Sequence, residues 1–242
     1  MELVHLNIVT IVKDDIVAIS KTILSVKTAT IPKYTKISHL ICLGNADESF
    51  IDQILGISSE YVKIVSTKDS GIYNAMNIGL SHVRDGWVMF LNGGDVLFSK
   101  ESLVKIFEAI ETSNSSYIQL QTLIGNKVSP AKKFSRFQHY LGRKMHAHPS
   151  FLFKYEPQFL KWFDESYKIV GDFKFILELT RKSKVDFKAS TVAMFEGGGV
   201  SSTNLDMLVS EANRVRIELC PYKCLIPLVR LWNLKVRFFS HL

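Results

Sequence analysis

In the first hundred residues short apolar runs alternate with segments of helical spacing, and this order restricts the fold more than any other feature of the chain. Residues 6–12, 37–43 and 87–91, with a weaker run at 61–65, have strand length and are rich in β-branched or aromatic side chains. Between them Ile16, Ile19, Ile23 and Val26, then Ile51, Ile54 and Leu55, then Ile72, Ala75, Met76, Gly79, Leu80 and Val83 recur at helical intervals. A βαβαβαβ order predicts an α/β fold, a mostly parallel sheet flanked by helices, because parallel neighbours need helical crossovers. Such sheets take their ligands beyond the carboxyl ends of the strands.

The remainder is less regular. It reads as a helix over 99–112, a strand over 117–124, a basic polar stretch over 127–144, a helix over 172–182 and a strand over 185–195. A long helix follows Ser202-Thr203 and stops at Pro221. With no repeat or linker in view, residues 1–220 read as one domain and 221–242 as an appendage. The 242 residues, 47% hydrophobic and 22% charged, exclude disordered, collagen-like and coiled-coil classes. Cys42, Cys220 and Cys224 are too sparse for a disulfide framework or a Cys-x-x-Cys zinc pair, which suggests a reducing compartment and inert packing.

No stretch reaches the roughly 18 to 20 apolar residues of a membrane span. The N-terminus has no Lys or Arg before its apolar part and meets Lys13-Asp14-Asp15 early, so it reads as a first buried strand of a cytoplasmic protein, not a signal peptide. Thirty Lys plus Arg against 23 Asp plus Glu give a net charge of +7, which attracts polyanions. The chain carries no RNP, helix-turn-helix or zinc-finger signature, so no nucleic-acid partner is expected.

Two segments could carry chemistry. At the end of the run at 87–91 the chain reads Phe90-Leu91-Asn92-Gly93-Gly94-Asp95. A strand that runs into small residues and a carboxylate puts Asp95 at the ligand rim, where Mg²⁺ or Mn²⁺ would bridge it to a diphosphate and the glycines would let a phosphate approach the backbone. The alternative is an ordinary turn with a solvated Asp. Upstream lies Asp69-Ser70-Gly71-Ile72-Tyr73-Asn74-Ala75-Met76-Asn77, with two amides one turn apart on one helix face. Either backbone satisfies these amides or a polar ligand does. An alternative is a helix merely capped by Asp69 or Ser70.

Together the segments resemble the family 2 inverting glycosyltransferases of GT-A (Rossmann-like) fold, and in particular the small bacterial exopolysaccharide and O-antigen branch with its colanic-acid-type transferases. That branch carries Asp-x-Gly-Ile-Tyr-Asp-Ala-Met-Asn-x-Gly and then Phe-Leu-Asn-x-Gly-Asp. His148, the segment from Tyr167 to Asp172-Phe173 and Gly198-Gly199 fall in the family's order, so the likeness covers roughly residues 4 to 215. It implies Asp95 as the metal-binding end of an Asp-x-Asp motif whose first member is Asn92, Asp172 as catalytic base, and Mn²⁺ or Mg²⁺ as cofactor. It implies donor contacts from Thr10, Asp69, Gly71, Asn74, Asn77, Asn92 and Gly93, with His148, Gly198 and Gly199 on the acceptor or diphosphate side. Partners implied are a UDP or GDP sugar and a saccharide on a polyprenyl diphosphate carrier.

The residues leave alternatives beside these roles: Asp172 as a helix cap, His148 packed by Pro149 and Phe151, and the glycine cluster as a plain connection or a mobile loop. Two departures from the family pattern stand out. Leu43 falls where an Asp would serve the nucleotide base, leaving that contact to Asp47 or to backbone near Thr10 to Val12, and Asn74 replaces an Asp. Both suggest either altered donor choice or a nucleotide-binding relative without activity.

After Pro221, Leu225, Leu228, Val229, Trp232, Val236 and Phe239 share a helical stripe, with Lys223, Arg230 and Arg237 on another face. This basic amphipathic helix suits an anionic membrane surface, its own domain or a second subunit as a homodimer contact. The resemblance favours the membrane, and a location in the cytoplasm at the periphery of the inner membrane.

Overall fold

The computed structural model describes residues 3–44, 46–67, 70–130, 148–158, 162–195, 204–220 and 227. Its first half follows the periodicity: β1 (Val4–Val12), α1 (Ile16–Lys27), β2 (Thr35–Gly44), α2 (Glu48–Ile57), β3 (Val62–Thr67), α3 (Ile72–Ser81) and β4 (Trp87–Phe90). Then come β5 (Val96–Leu97), α4 (Ser102–Glu111), β6 (Tyr117–Ile124), β7 (Lys127–Ser129), a 3₁₀ turn (His148–Ser150), β8 (Phe151–Lys154), α5 (Gly171–Leu179), β9 (Asp186–Phe195) and α6 (Leu205–Leu219).

All nine strands form one sheet in the order β3-β2-β1-β4-β8-β6-β9-β5, with β7 beside β6. The pairs β3–β2, β2–β1 and β1–β4 are parallel, as expected. The sequence reading did not foresee β8, which enters antiparallel between β4 and β6. A four-residue strand buried at Phe151, Leu152 and Phe153 leaves too short an alternation to be recognised. Because β8 runs opposite to β4, the residues just before it, from His148, arrive at the carboxyl end of β4.

Alternation along the central strands divides the core by face. Leu6 and Ile8 pack in the layer with α4, Ile41 and Leu43 in the layer with α1 and α2, and Val9, Leu40 and Cys42 in the layer with α3, α5 and α6. Each such aliphatic side chain contributes about 1.5–3 kcal/mol on burial. Leu43 is fully buried and lies in the core beneath the rim. Helix starts are set by short side chains: Asp15 accepts from Ala18 N–H and Asp47 from Phe50 N–H. The capping expectation for α3 is corrected, since its N-cap is Gly71, at φ +143°, without a side-chain cap. The helix expected over 172–182 ends earlier, at Leu179.

No helix among the described residues is long and apolar enough to cross a membrane. Cys42 and Cys220 are both buried. The appendage beyond Pro221, apart from Pro227, lies outside the described residues, as do Asp69, Gly198, Gly199 and Cys224.

Candidate functional site

The turn after β4 is fixed by backbone. Leu91 N–H and Gly93 N–H extend the pairing with β1 through Val9 and Ile11 carbonyls, and Asp95 N–H closes the turn on Asn92 O at 2.9 Å. Gly94 takes φ +96°, a conformation that a side chain would strain. Its N–H reaches Ala18 O at 3.2 Å and Thr22 Oγ1 at 3.0 Å, while the Thr22 hydroxyl donates to Asp95 O at 2.7 Å. Gly93 and Gly94 thus spend their N–H groups on Ile11 of β1 and on Ala18 and Thr22 of α1, and in doing so seat Asp95.

Asp95 is 3% exposed. Burial pushes its carboxyl up to about 6, partly opposed by the neighbouring His148. His148 comes from the 3₁₀ turn ahead of β8. A buried polar cluster lies behind that turn, in which the Gln119 amide and the Thr122 hydroxyl both donate to Ser150 Oγ. Its Nε2 stands 4.0 Å from Asp95 Oδ2 and 3.1 Å from the Asn92 amide nitrogen, and its Nδ1 stands 3.0 Å from Asp172 Oδ2. One imidazole thus spans the carboxylates of two elements 77 positions apart in the chain, by subtraction of 95 from 172. Burial disfavours its charge, but the hydrogen bond and charge of Asp172, with the charge of Asp95, outweigh this and raise its pKa.

Asp172 lies in the first turn of α5, one position inside the helix, and is not its cap, which is Val170. Its Oδ1 accepts from Phe173 N–H at 2.8 Å and, at 3.5 Å, from the Tyr73 hydroxyl. Tyr73 packs against Gly171, where a Cβ would come within 2.7 Å of the ring. Burial, then the charge of Asp172, raises the phenol's pKa and keeps it neutral.

The two amides of α3 make hydrogen bonds within the protein. Asn77 brackets Phe163, donating to its carbonyl at 3.0 Å and accepting from its N–H at 2.8 Å, and also donates to Glu165 at 2.8 Å. Asn74 donates to both oxygens of Glu165 at 3.1 Å. An Asp at position 74 would set two carboxylates against each other, a local reason for the amide here. Thr10 is likewise engaged within the protein: its buried hydroxyl donates to Leu91 O at 2.6 Å and pairs with His39 Nε2 at 2.8 Å, which locks β1 to β4 and β2. Gly71 is an exposed helix start. Leu43 is buried in the core, whereas Asp47 is exposed and caps α2 through one oxygen, Oδ1.

Sequence reasoning missed the residues that hold the Asp172 segment in place. Glu165 receives both α3 amides, and Glu211 of α6 accepts from the N–H groups of Lys168, Ile169 and Val170 at 2.8, 2.8 and 3.2 Å. Lys174, buried, bridges Asp164 at 2.7 Å and Glu218 at 2.6 Å. No periodicity marks such residues, since each is a lone charged side chain whose partners lie on other elements or loops.

Among the described residues no three His, Cys, Asp or Glu side chains group as a complete metal cage. The rim does fit a hard divalent ion of the kind that takes one or two protein oxygens and the rest from a diphosphate. Asp95 offers a carboxylate, and Asn92 Oδ1 on the same turn is buried with no hydrogen-bond partner.

No protein-family model matches the sequence, and no curated protein matches it. Solved structures do match. The chain aligns with S. aureus TarS at a TM-score of 0.68 and 13% identity, covering 95% of this chain and 42% of that one. It aligns with S. aureus TarS 1–349 in complex with UDP-GlcNAc at 0.66 and 12%, covering 90% and 68%. The mannosyltransferase PcManGT from Pyrobaculum calidifontis, in complex with GDP-Man and Mn²⁺, aligns at 0.67 and 10%, covering 93% and 68%. The chain therefore spans less than half of the full TarS chain. At such identities the likeness is one of fold, and the mixed α/β fold expected of the sequence is the one these proteins share with it.

Proposed function

We propose that this chain is a metal-dependent inverting glycosyltransferase that moves a sugar from a UDP or GDP donor to a hydroxyl of a lipid-linked saccharide, in bacterial surface polysaccharide synthesis at the cytoplasmic face of the inner membrane. The observation that carries the reading is the placement of His148 between Asp95 and Asp172 at the carboxyl end of the sheet, in a fold shared with proteins bound to UDP-GlcNAc and GDP-Man. Hexosyl transfer, the polyprenyl diphosphate acceptor, the membrane location and the exopolysaccharide or O-antigen pathway rest on the sequence resemblance.

Asp172 is the base. Its side chain is 22% exposed, so a hydroxyl can reach it, and Oδ2, which takes the contact from His148, keeps a lone pair, while Oδ1 already accepts from Phe173 and Tyr73. It takes the proton of the acceptor hydroxyl as that oxygen attacks the anomeric carbon. His148 holds Asp172 through its Nδ1 at 3.0 Å and stands between the two carboxylates. Asp95 and Asn92 would hold Mn²⁺ or Mg²⁺, which when bound supplies positive charge to the leaving diphosphate.

One observation favours a second reading, a nucleotide-binding relative without transfer activity that serves a polysaccharide assembly complex. Thr10, Asn74, Asn77 and Gly93 are all engaged within the protein. Calorimetric titration with UDP and GDP, each with Mn²⁺ and with EDTA, tests the donor site beside Asp95→Ala. Cation-dependent binding of one nucleotide, lost in the variant, is expected; binding of neither overturns the enzyme reading. Donor turnover that disappears in Asp172→Asn, while nucleotide binding persists, separates the enzyme from the inactive relative.

A further inference from the structure

A second concave site lies at the far end of α5. It is a half-open cavity of about 740 Å³ between the start of β6, the residues after β8 and the end of α5. Asp172 occupies the first turn of α5 and Leu179 its last, so at 1.5 Å per residue the cavity sits roughly 10 Å along the helix axis from the base. None of the rim residues that meet at His148 lines it.

Its walls select a chemical class. Tyr117 and Leu179 are its apolar residues, both buried, and the other nine lining residues are polar or charged. Arg181, Lys182 and Lys184 would draw an anion, but Glu156 and Glu178 face the same space, and the cations already sit where a helix C-terminus favours them. A phosphate-rich ligand would meet two carboxylates and the negative end of α5. What remains is a mixture of donors and acceptors. The side chains of Asn114, Lys182 and Lys184 make no hydrogen bond or ion pair among the described residues, and Glu156 is engaged by Ser116 through one oxygen, Oε1, at 3.0 Å.

We propose that this cavity is a binding site for a neutral, hydroxyl-rich ligand, a short oligosaccharide, separate from the Asp95–His148–Asp172 rim. The volume falls within the range of pockets that enclose small ligands. Hydroxyls, which both donate and accept, use the carboxylates and the ammonium groups together, whereas an ion of either sign uses half of them and is repelled by the rest. The site does not depend on transfer chemistry at the rim, although in a glycosyltransferase it would give a second grip on a glycan.

The test is amide-detected NMR titration of the full chain with maltotetraose, cellotetraose and chitotetraose, with inorganic phosphate as the anion arm. Expected are shifts at Asn114, Ser116 and Lys184 with one tetrasaccharide at millimolar concentration, unchanged in Asp95→Ala and unaffected by UDP. Asn114→Ala should weaken that binding roughly fivefold, the effect of about one lost hydrogen bond. Ser116→Trp, which fills the cavity, should abolish it; a folded spectrum checks that variant, and Asn114→Ala stands if it misfolds. No shifts with any tetrasaccharide, shifts centred on Asp95 and His148, or stronger shifts with phosphate at the same residues would each overturn the assignment. Saccharide binding here with no nucleotide binding at the rim would count against the transfer reading alone.

Discussion

The two carboxylates that His148 joins are held in opposite ways. Asp95 stands on a turn pinned by main-chain bonds to β1 and α1, with the Thr22 hydroxyl as its chief side-chain tie. Asp172 follows a segment without regular structure whose backbone is gripped by side chains from α3 and α6: Asn77 on Phe163, Asn74 on Glu165 and Glu211 on 168–170. A backbone-pinned group tolerates most substitutions around it. A group held by side chains depends on a few residues, which makes the Asp172 half of the site the easier one to dislodge by mutation.

The strongest way to sharpen that contrast is Glu211→Ala, which strips three backbone N–H groups of a charged acceptor. A loss of about 3–4 kcal/mol is expected in urea unfolding, with Glu211→Gln recovering part of it. An effect under about 1 kcal/mol would show that the segment is held by packing instead.

Asp95 should behave in the opposite sense. Its folded pKa, about 6, lies above the unfolded value of 3.8, so the folded state holds the extra proton and stability falls as pH rises from about 3.8 through 6. Asp95→Asn removes that cost. It should gain up to about 3 kcal/mol at pH 7 without divalent cation while losing cation-dependent nucleotide binding. Thermal unfolding at pH 4 and pH 7 reads both the gain and its pH dependence; equal shifts at the two values would refute the assignment of strain to the buried charge.

His39 tests the sheet beneath the turn. Burial holds its pKa down at about 4 against 6.5 unfolded, and its Nδ1 has no partner. Its contribution is complete above 6.5 and is lost as pH falls toward 4, by up to about 3 kcal/mol. His39→Leu should flatten the stability profile across that window, read by urea midpoints at several pH values. The smallest effect is expected from Asn74→Asp, which replaces an amide on Glu165 by a like charge at a partly exposed site. About 1 kcal/mol of destabilisation, fading in high salt, would support the clamp; no salt dependence would count against it.

The first half of the chain was legible because its strands and helices repeat their burial with period 2 or 3.6. β1 to β4 lie within three residues of where the apolar runs place them, and Asp95 stands at the strand end that Gly93-Gly94 marks. In the second half β8 was invisible, and in the first the uses of Asn74 and Asn77 were equally hidden. Their partner Glu165 is 91 and 88 positions away, and one sequence carries no local sign of such pairs.

By itself, then, the sequence determined the alternation of elements, the parallel half of the sheet and the rim position of Asp95, because local periodicity and turn chemistry encode burial and chain reversal. Only the tertiary structure decided that an antiparallel β8 delivers His148 between Asp95 and Asp172, and that the Asn74 and Asn77 amides reach the loop at 163–165. Those outcomes depend on distances between elements far apart in the chain, and packing sets such distances for the molecule as a whole.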